Sequence, residues 1–358
     1  MTKQFVLVFS FFQLAALSLW SQSQWVHSGS NGKLVYQRTA HGDRIPDFSS
    51  AGYRGGGVAL PLVKTRVKVS PSGAVDDTLA IQRALNRVAG MALNAHGERG
   101  AVELAPGHYH LAGTLAIRAS GVWLRGAAAT GPKASVLELT GKPHLAISIQ
   151  GKFHQQELSD GTWLTDRYVP AGATVIHVED STDIQTGDVL EIVKPVTRAW
   201  LHFMKMDQLV RDERPETWLK GAIRVRRRVA RVERNTVRLA VPLTDSFNAR
   251  FYPRRAATVT RVAISGRIAE AGIENLRIVA PPSTLRYRLD PASDGITLDN
   301  AVDAWVRSVT MENMVTAVRV GRQAERVTIE DVDVPSQATV TSRARAGSIL
   351  GEWNPDFD

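Results

Sequence analysis

The chain has 358 residues, of which 44% are hydrophobic and 22% charged, which is enough apolar material for an ordered core. It contains no cysteine, which excludes disulfide bonds and a thiol nucleophile, so stability must come from packing and backbone hydrogen bonds. The formal net charge of +9 favours polyanionic partners in general.

Residues 1–23 have the layout of a secretory signal peptide. Lys3 precedes a largely apolar run over residues 5–19, and small polar residues follow. A short membrane anchor is the alternative, but a span needs about 20 apolar residues, and Ser10 and Gln13 interrupt this run. We therefore expect a secreted or periplasmic protein without membrane contact after cleavage. For an exported protein, acidic polysaccharide is a better candidate polyanion than nucleic acid.

A helix is predicted before the first strands. Asp76, Asp77 and Thr78 precede apolar side chains at helical spacing over residues 79–88, and the pattern ends near Gly90. Two adjacent carboxylates could form an acid/base couple, but at a helix start they are typical of capping. Because the open end of a solenoid exposes core and backbone, we expect this helix to cover the first coil.

Short strands separated by glycine and proline follow the helix. On one of them His108 and His110 lie two residues apart, as a metal-binding pair would, but no third ligand has a recognisable spacing, so no metal site is predicted. The predicted strands cover residues 101–104, 108–111, 115–117, 122–124 and 136–139.

The start of the predicted helix and two of the strand segments carry a family resemblance. Residues 76–82, 102–109 and 121–126 together resemble the opening of the pectate lyase superfamily, and more narrowly its rhamnogalacturonase A/B and epimerase-like pectate lyase domain. The resemblance covers roughly residues 60–150 and resumes at about 257–335. It implies an all-β fold, a right-handed parallel β-helix with an N-terminal capping helix, acting on pectin-like polysaccharide. A calcium cofactor is implied by the resemblance alone.

The spacing of strand and turn signals changes between these two parts, and we interpret residues 152–256 as a small inserted β subdomain. Valine alternates with arginine over residues 222–232 and again over 236–241, with a turn between, which predicts a hairpin with one solvated face.

Arginines on that hairpin are candidate ligands for a carboxylated sugar, because a guanidinium grips a carboxylate through paired hydrogen bonds. A solvated strand face is the alternative. The hairpin lacks the aromatic platforms of single-strand nucleic-acid binding, whereas Trp200, Phe203 and Trp218 nearby form either a sugar platform or the subdomain core. The predicted substrate-binding residues are Arg224, Arg226, Arg228, Trp200 and Trp218.

The stretch after the insertion repeats itself. Residues 273–278, 306–311 and 329–334 share one pattern of apolar and polar positions, and residues 296–298 recur 22 residues later at 318–320. Each repeat would bury alternate side chains and stack its backbone on the next coil, as in a parallel β-helix.

Candidate catalytic residues lie in these coils. Asp294-Gly295 resembles the second half of the Asn-Thr-Asp-Gly motif of polygalacturonase-type hydrolases, but Ala292-Ser293 replace the Asn-Thr of that motif. About one coil later those enzymes have a pair of aspartates, where this chain has Met314-Val315. A turn residue before glycine is the alternative. The remaining candidates are outward polar groups: Asp299, Arg307, Glu312 and Glu330.

Asp331 is removed from that set by the repeat itself. It occupies the position of Asn275 and Ser308 in the other coils, which is typical of a turn that favours short polar side chains.

We therefore expect an exported β-helix protein that cleaves an acidic, uronate-containing polysaccharide by elimination or hydrolysis. The alternatives are a non-catalytic carbohydrate-binding or surface-adhesion module, including an incomplete and inactive chain, and a sugar C5-epimerase. The predicted domains are the signal peptide 1–23, the N-terminal segment with the helix and first coils 24–151, the subdomain 152–256, further coils 257–340, and an irregular tail 341–358.

Overall fold

The computed structural model describes residues 23–211, 214–215, 219–282, 292–335 and 349–351, and of residues 211, 214–215 and 349–351 the backbone alone. The predicted signal peptide, apart from Ser23, and most of the predicted tail lie outside the described residues. Strands dominate the described chain, in agreement with the all-β prediction.

The N-terminal part forms a small hairpin, a 3-10 turn at Tyr53–Gly55, an edge strand and the predicted helix. The helix buries Ile81, Leu85 and Val88 against the first strands, because these side chains recur on one face. These elements are β1 (Val26–Ser28), β2 (Leu34–Tyr36), β3 (Thr65–Val69) and α1 (Thr78–Ala89).

Before the insertion, six short strands build the first coils, and each overlaps or extends a predicted segment except the last. They are β4 (Gly100–Leu104), β5 (Gly107–Leu111), β6 (Leu115–Ile117), β7 (Val122–Gly126), β8 (Ser135–Leu139) and β9 (Leu145–Gln150).

The described part of the inserted region contains antiparallel strands, one short α-helix and two 3-10 turns, at Met206–Gln208 and Ala249–Phe251. Its elements are β10 (His154–Glu157), β11 (Thr162–Trp163), β12 (Tyr168–Val169), β13 (Val175–His177), β14 (Val189–Pro195), α2 (Arg198–Phe203), β15 (Val210–Arg211), β16 (Arg214–Pro215), β17 (Ala222–Glu233), β18 (Thr236–Leu239), β19 (Phe247–Asn248) and β20 (Thr258–Ser265).

After the insertion the coils resume with longer strands. They are β21 (Ile268–Val279), β22 (Asp294–Asp299), β23 (Ala301–Glu312), β24 (Val318–Val320), β25 (Glu325–Asp333) and β26 (Ile349–Gly351).

Strands of successive coils pair in parallel and form two sheets. One runs in the order β3, β4, β7, β21, β23, β25, with β5 and β8 joined beside it, and the other runs β6, β9, β22, β24, β26. Apolar side chains of both sheets form one core. The predicted stacking of residues 296–298 on 318–320 is present as β22 on β24. The right-handed winding of these coils stays a prediction.

Tight backbone turns inside the strands β21, β23 and β25 use the left-handed backbone region. Asn275, Ser308 and Asp331 occupy equivalent positions with φ of 57°, 52° and 52°. The interpretation of Asp331 as a turn residue is therefore confirmed, because short polar side chains tolerate this conformation best.

Helix α1 covers an edge of the stack, as predicted. Ala116, on the outermost strand β6, donates its N–H to Gln82 Oε1 at 2.8 Å, and Gln82 Nε2 donates to the Ala116 carbonyl at 3.0 Å. The cap at the helix start differs in detail, since Asp76 accepts from the Thr78 N–H while buried Asp77 accepts from the His110 N–H of β5.

The inserted subdomain has a sheet and a core of its own. The sheet order is β10, β20, β14, β17, β18, β13, with β11 beside β20, and β17 and β18 form the predicted hairpin. Because β20 pairs with β10 and β14, the subdomain sheet continues to Ser265, beyond the boundary predicted at residue 256. Its apolar cluster includes Ile192, Val225 and Phe247.

Candidate functional site

Arg307 belongs to a row of alternating charges on the outer face of the parallel sheet. Glu274 is 1% exposed and lies between two arginines, with Arg125 Nε 2.6 Å from its Oε1 and an Arg307 Nη2 2.5 Å from its Oε2. The guanidinium of Arg307 is thereby held by the scaffold. In register order the row is Lys68, Glu103, Arg125, Glu274, Arg307 and Glu330.

Glu103, the second member of this row, is a stabilised carboxylate. A hydrogen bond from the Thr65 hydroxyl and the neighbouring Lys68 ammonium lower the pKa of Glu103 below its ordinary value. Glu103 therefore stays ionised in the folded protein to a lower pH than an ordinary glutamate.

Asp294 and Asp299 lie at the two ends of β22 and hold the next coil. Asp294 Oδ1 accepts the Thr316 N–H at 3.1 Å, and Asp299 Oδ1 accepts the Arg322 N–H at 3.0 Å. Each carboxylate thus satisfies a backbone donor of the loops that follow one coil later.

Glu312 lies at the end of β23, where it accepts a hydrogen bond from Arg277 Nε at 2.8 Å. Asp294 and Asp299 belong to the other sheet, and Arg307 precedes the turn at Ser308. Each of these four catalytic candidates therefore has a partner from a neighbouring coil.

Two of the hairpin arginines proposed as sugar ligands, Arg224 and Arg226, form hydrogen bonds with other side chains of the protein. Arg224 Nη1 donates to Glu191, a carboxylate that is 5% exposed, at 3.0 Å. Arg226 contacts Gln155 and Gln323, and its guanidinium lies 5.0 Å from the ring centre of Phe153. These contacts join the subdomain sheet to the coil turn at Gln323.

Arg228 and the tryptophans complete the predicted substrate-binding set. Arg228 is exposed and donates to the Gly187 carbonyl at 2.7 Å. Trp200 is 9% exposed and packs with Leu219 and Ile223, so its ring belongs to a small apolar cluster of the subdomain. Trp218 lies outside the described residues.

Aromatic side chains under the N-terminal segment form a second buried cluster, which the sequence did not predict. Trp123 and Trp305 flank Gly272 on the outer sheet face, with ring centres 5.5 Å apart. Tyr53 packs edge-on against Trp305, and its hydroxyl donates to Glu270 at 2.5 Å. Burial and the Glu270 carboxylate raise the pKa of Tyr53, so this hydroxyl stays protonated.

A cleft of about 350 Å³ opens where the N-terminal segment meets the subdomain. That volume lies at the lower end of the range of ligand pockets. The lining combines basic side chains, one carboxylate and the ring faces of tyrosine and proline. The lining residues are Arg38, Gly42, Arg44, Asp166, Tyr168, Val169, Pro170, Gly172, Ala173, Thr174, Val175 and His177.

Asp43 links the two walls of the cleft, the N-terminal segment and the subdomain, by hydrogen bonds. Its carboxylate accepts hydrogen bonds from the Tyr168 hydroxyl at 2.6 and 2.7 Å and from the Ala171 N–H at 2.9 Å. Burial by itself raises the pKa of Asp43, but these donors outweigh it and the net direction is downward. Burial and the same hydrogen bond raise the pKa of Tyr168 to about 12. The pair is therefore a neutral phenol that donates to an ionised carboxylate.

The basic groups of the cleft differ in how they are engaged. Arg44 donates from Nε and Nη2 to the Gly172 carbonyl at 3.2 and 3.1 Å. Arg38 is exposed and has no hydrogen bond or ion pair within the described structure. The guanidinium of Arg38 is thus available to an anion in the cleft.

His177 presents its imidazole to the same cleft. Its Nδ1 lies 2.7 Å from Asp166 Oδ1, and its backbone N–H donates to Asp166 Oδ2 at 2.7 Å. No motif or spacing in the sequence connects an N-terminal arginine with two residues of the insertion, so the sequence did not predict Arg38, Asp166 or His177 as site residues.

Metal binding finds little support among the described residues, where no group of three or more His, Asp and Glu side chains could hold an ion. His108 and His110 both contact Glu138, at 2.6 and 3.3 Å. The calcium implied by the family resemblance does not fit these residues, and we derive no chemical step through it. Among the described helices, none has the length and apolar character needed to cross a membrane.

No protein-family model matches the chain, and no curated protein is similar to it. Solved structures show distant likeness. The tailspike protein gp49 from Pseudomonas phage LKA1 is 17% identical with a TM-score of 0.37, over 69% of this chain and 34% of its own. The Pseudomonas phage phi297 tailspike gp61 is 13% identical with a TM-score of 0.35, over 76% and 38%.

A bacterial surface protein has a comparable likeness. PfbA, a surface adhesin of Streptococcus pneumoniae, is 10% identical with a TM-score of 0.34, over 75% of this chain and 38% of its own. The chain therefore spans between a third and two fifths of the length of these three proteins. At these identities and scores, the likenesses carry no argument about activity.

Proposed function

We propose that this chain is an exported, polysaccharide-active protein, akin to the pectate lyase superfamily, that binds an acidic, uronate-containing polysaccharide and cleaves it. The observation that carries the proposal is the cleft that unpaired Arg38 lines together with His177, Tyr168 and Pro170. A guanidinium binds a carboxylate, and apolar ring faces suit the faces of sugar rings.

The position of the cleft supports the same function. Its walls come from the N-terminal segment and from the subdomain, and the Asp43 to Tyr168 hydrogen bonds hold them together. A site built between two supported walls keeps its geometry when a polymer binds, which lowers the entropy cost of binding.

A purely binding or adhesive module is the second candidate function. It is favoured by the contacts of Asp294, Asp299, Arg307 and Glu312, each of which holds a neighbouring coil or strand. Polymer binding is common to both candidates.

Retention on immobilised polygalacturonan, rhamnogalacturonan and alginate, with neutral dextran as reference, tests binding. We expect retention on at least one acidic polymer that weakens as salt is raised, because exposed charges are screened. Arg38→Gln should weaken it about tenfold or more, since one charge-assisted contact is lost. Arg83→Gln, an exposed arginine on α1, is the matched control and should leave retention unchanged.

The solvated face of the hairpin is the alternative surface at which the polymer could bind. If Arg228→Ser weakened retention while Arg38→Gln did not, the hairpin face would be the binding surface and the cleft would not. Equal binding of dextran and the acidic polymers would contradict an acidic partner altogether.

A further inference from the structure

The pair of Asp166 and His177 is held in one geometry by the backbone. Leu164 and Val178 form an antiparallel bridge, and the Thr165 N–H donates to the His177 carbonyl at 2.9 Å. Both carboxylate oxygens of Asp166 then face His177, one at the backbone N–H and one at Nδ1. Side chain and backbone together leave the imidazole little freedom to turn.

This geometry assigns different roles to the two ring nitrogens of His177. Since Nδ1 faces a carboxylate that only accepts, Nδ1 carries the proton and Nε2 of the neutral ring is a free acceptor. The His177 side chain is 51% exposed while that of Asp166 is 18% exposed, so the ring reaches the cleft and its partner is shielded. An imidazole oriented by a carboxylate with Nε2 free is the arrangement of a general base.

The charges of the cleft favour elimination over hydrolysis. Hydrolysis of a glycoside needs two carboxylates on either side of the bond, and among the lining residues the structure describes, Asp166 is the single acid. Elimination from a uronate needs a base and a cation that neutralises the sugar carboxylate. His177 and Arg38 supply one of each.

We propose that His177, oriented by Asp166, is the base of a β-elimination that cleaves the bound polymer; this rests on the proposed polysaccharide-binding function. Nε2 takes the proton from the ring carbon that bears the carboxylate, while Arg38 pairs with that carboxylate. The electrons form a double bond to the adjacent carbon, and the bond from that carbon to the glycosidic oxygen breaks. The imidazolium returns the proton to the departing oxygen, leaving an unsaturated uronate and a new hydroxyl end.

The test incubates the full chain with the acidic polymers and follows the ultraviolet absorbance of unsaturated uronate together with new reducing ends. We expect both signals from the unaltered protein. His177→Gln should lower the rate about 100-fold or more, the lower range for loss of a general base, while retention on the polymer falls far less than the rate. Thermal unfolding of each variant checks that it is folded.

A matched control exists elsewhere in the subdomain. His202 also has Nδ1 2.7 Å from an aspartate, Asp207, but it does not line the cleft. His202→Gln should therefore leave the rate of product formation unchanged. An equal loss of rate in His202→Gln and His177→Gln would overturn the assignment.

Asp166 is a positioning residue in this scheme. Asp166→Asn should lower kcat about tenfold or more and leave KM unchanged, because the amide no longer stabilises the imidazolium. Asp166→Glu should recover part of the lost kcat. A rise in KM with unchanged kcat would show a structural role and overturn this part of the proposal.

Other outcomes separate the two proposals. Retention of the polymer without any unsaturated product, or reducing ends without ultraviolet absorbance, would overturn elimination while polysaccharide binding stands. Undiminished product from His177→Gln would overturn the role of His177. Absence of retention on every acidic polymer would overturn the proposed function, and the elimination with it.

Discussion

At the scale of single residues, Gly272 shows why an unremarkable position in a repeat can be restricted. In the parallel register it lies between Trp123 and Trp305. A Cβ atom at Gly272 would come within 3.0 Å of carbon atoms of both rings. The two indoles can pack over the strand because this position has no side chain.

Gly272→Ala is expected to destabilise the protein by about 1–3 kcal/mol, the usual cost of overpacking a tight core. The free energy of unfolding from denaturant titration measures it. Gly113→Ala is the control, because its nearest heavy atom would be 3.7 Å away. Equal stability of the two variants would show that the indoles move aside without cost.

At the scale of elements, parallel pairing arranges charges into the alternating row on the outer sheet face. Each strand contributes one charged side chain at the same register position, so opposite charges become cross-strand neighbours. Glu274 is the buried member and serves Arg125 and Arg307 together. The row adds side-chain ion pairs to the backbone hydrogen bonds between coils.

Glu274→Gln should cost about 1–3 kcal/mol, because two partly buried guanidinium groups lose their shared carboxylate. The discriminating comparison is Glu330→Gln, at the exposed end of the same row, where the loss should be about 0–1 kcal/mol. Denaturant unfolding of both variants at one ionic strength provides the measurement. A loss of stability for Glu330→Gln as large as that for Glu274→Gln would contradict a special role for the buried Glu274 carboxylate.

At the scale of the whole molecule, the residues that the structure describes form two large apolar cores. One lies between the parallel sheets and includes Ile273, and the other lies in the inserted subdomain and includes Ile192. No residue belongs to both among those the structure describes. Separate cores commonly open as separate cooperative units.

Ile192→Ala should remove about 2–5 kcal/mol from the subdomain, since it leaves a cavity at a fully buried position. Hydrogen exchange should then accelerate for amides of β14 and β17, with those of β21 and β23 unchanged. Ile273→Ala should give the opposite distribution. Equal acceleration in both regions after either substitution would show that the two cores unfold as one unit.

Local patterns accounted for much of the architecture. The repeat predicted the stacking of coils and the turn position of Asp331, helical spacing predicted α1, and valine–arginine alternation predicted the hairpin of β17 and β18. These features were accessible because side-chain period and turn chemistry act over a few residues. Local patterns left the role of Trp200 open, since an aromatic side chain suits a core and a sugar platform equally.

The sequence by itself determined the strand content, the repeat of the coils, the capping helix and the hairpin. Tertiary structure alone decided which charges pair across coils, that Trp200 is buried, and that Arg38 shares a cleft with Asp166 and His177. The reason is physical: residue periodicity encodes which face of a strand is buried. Contacts between distant segments depend on how the inserted subdomain packs against the N-terminal segment, which no local pattern records.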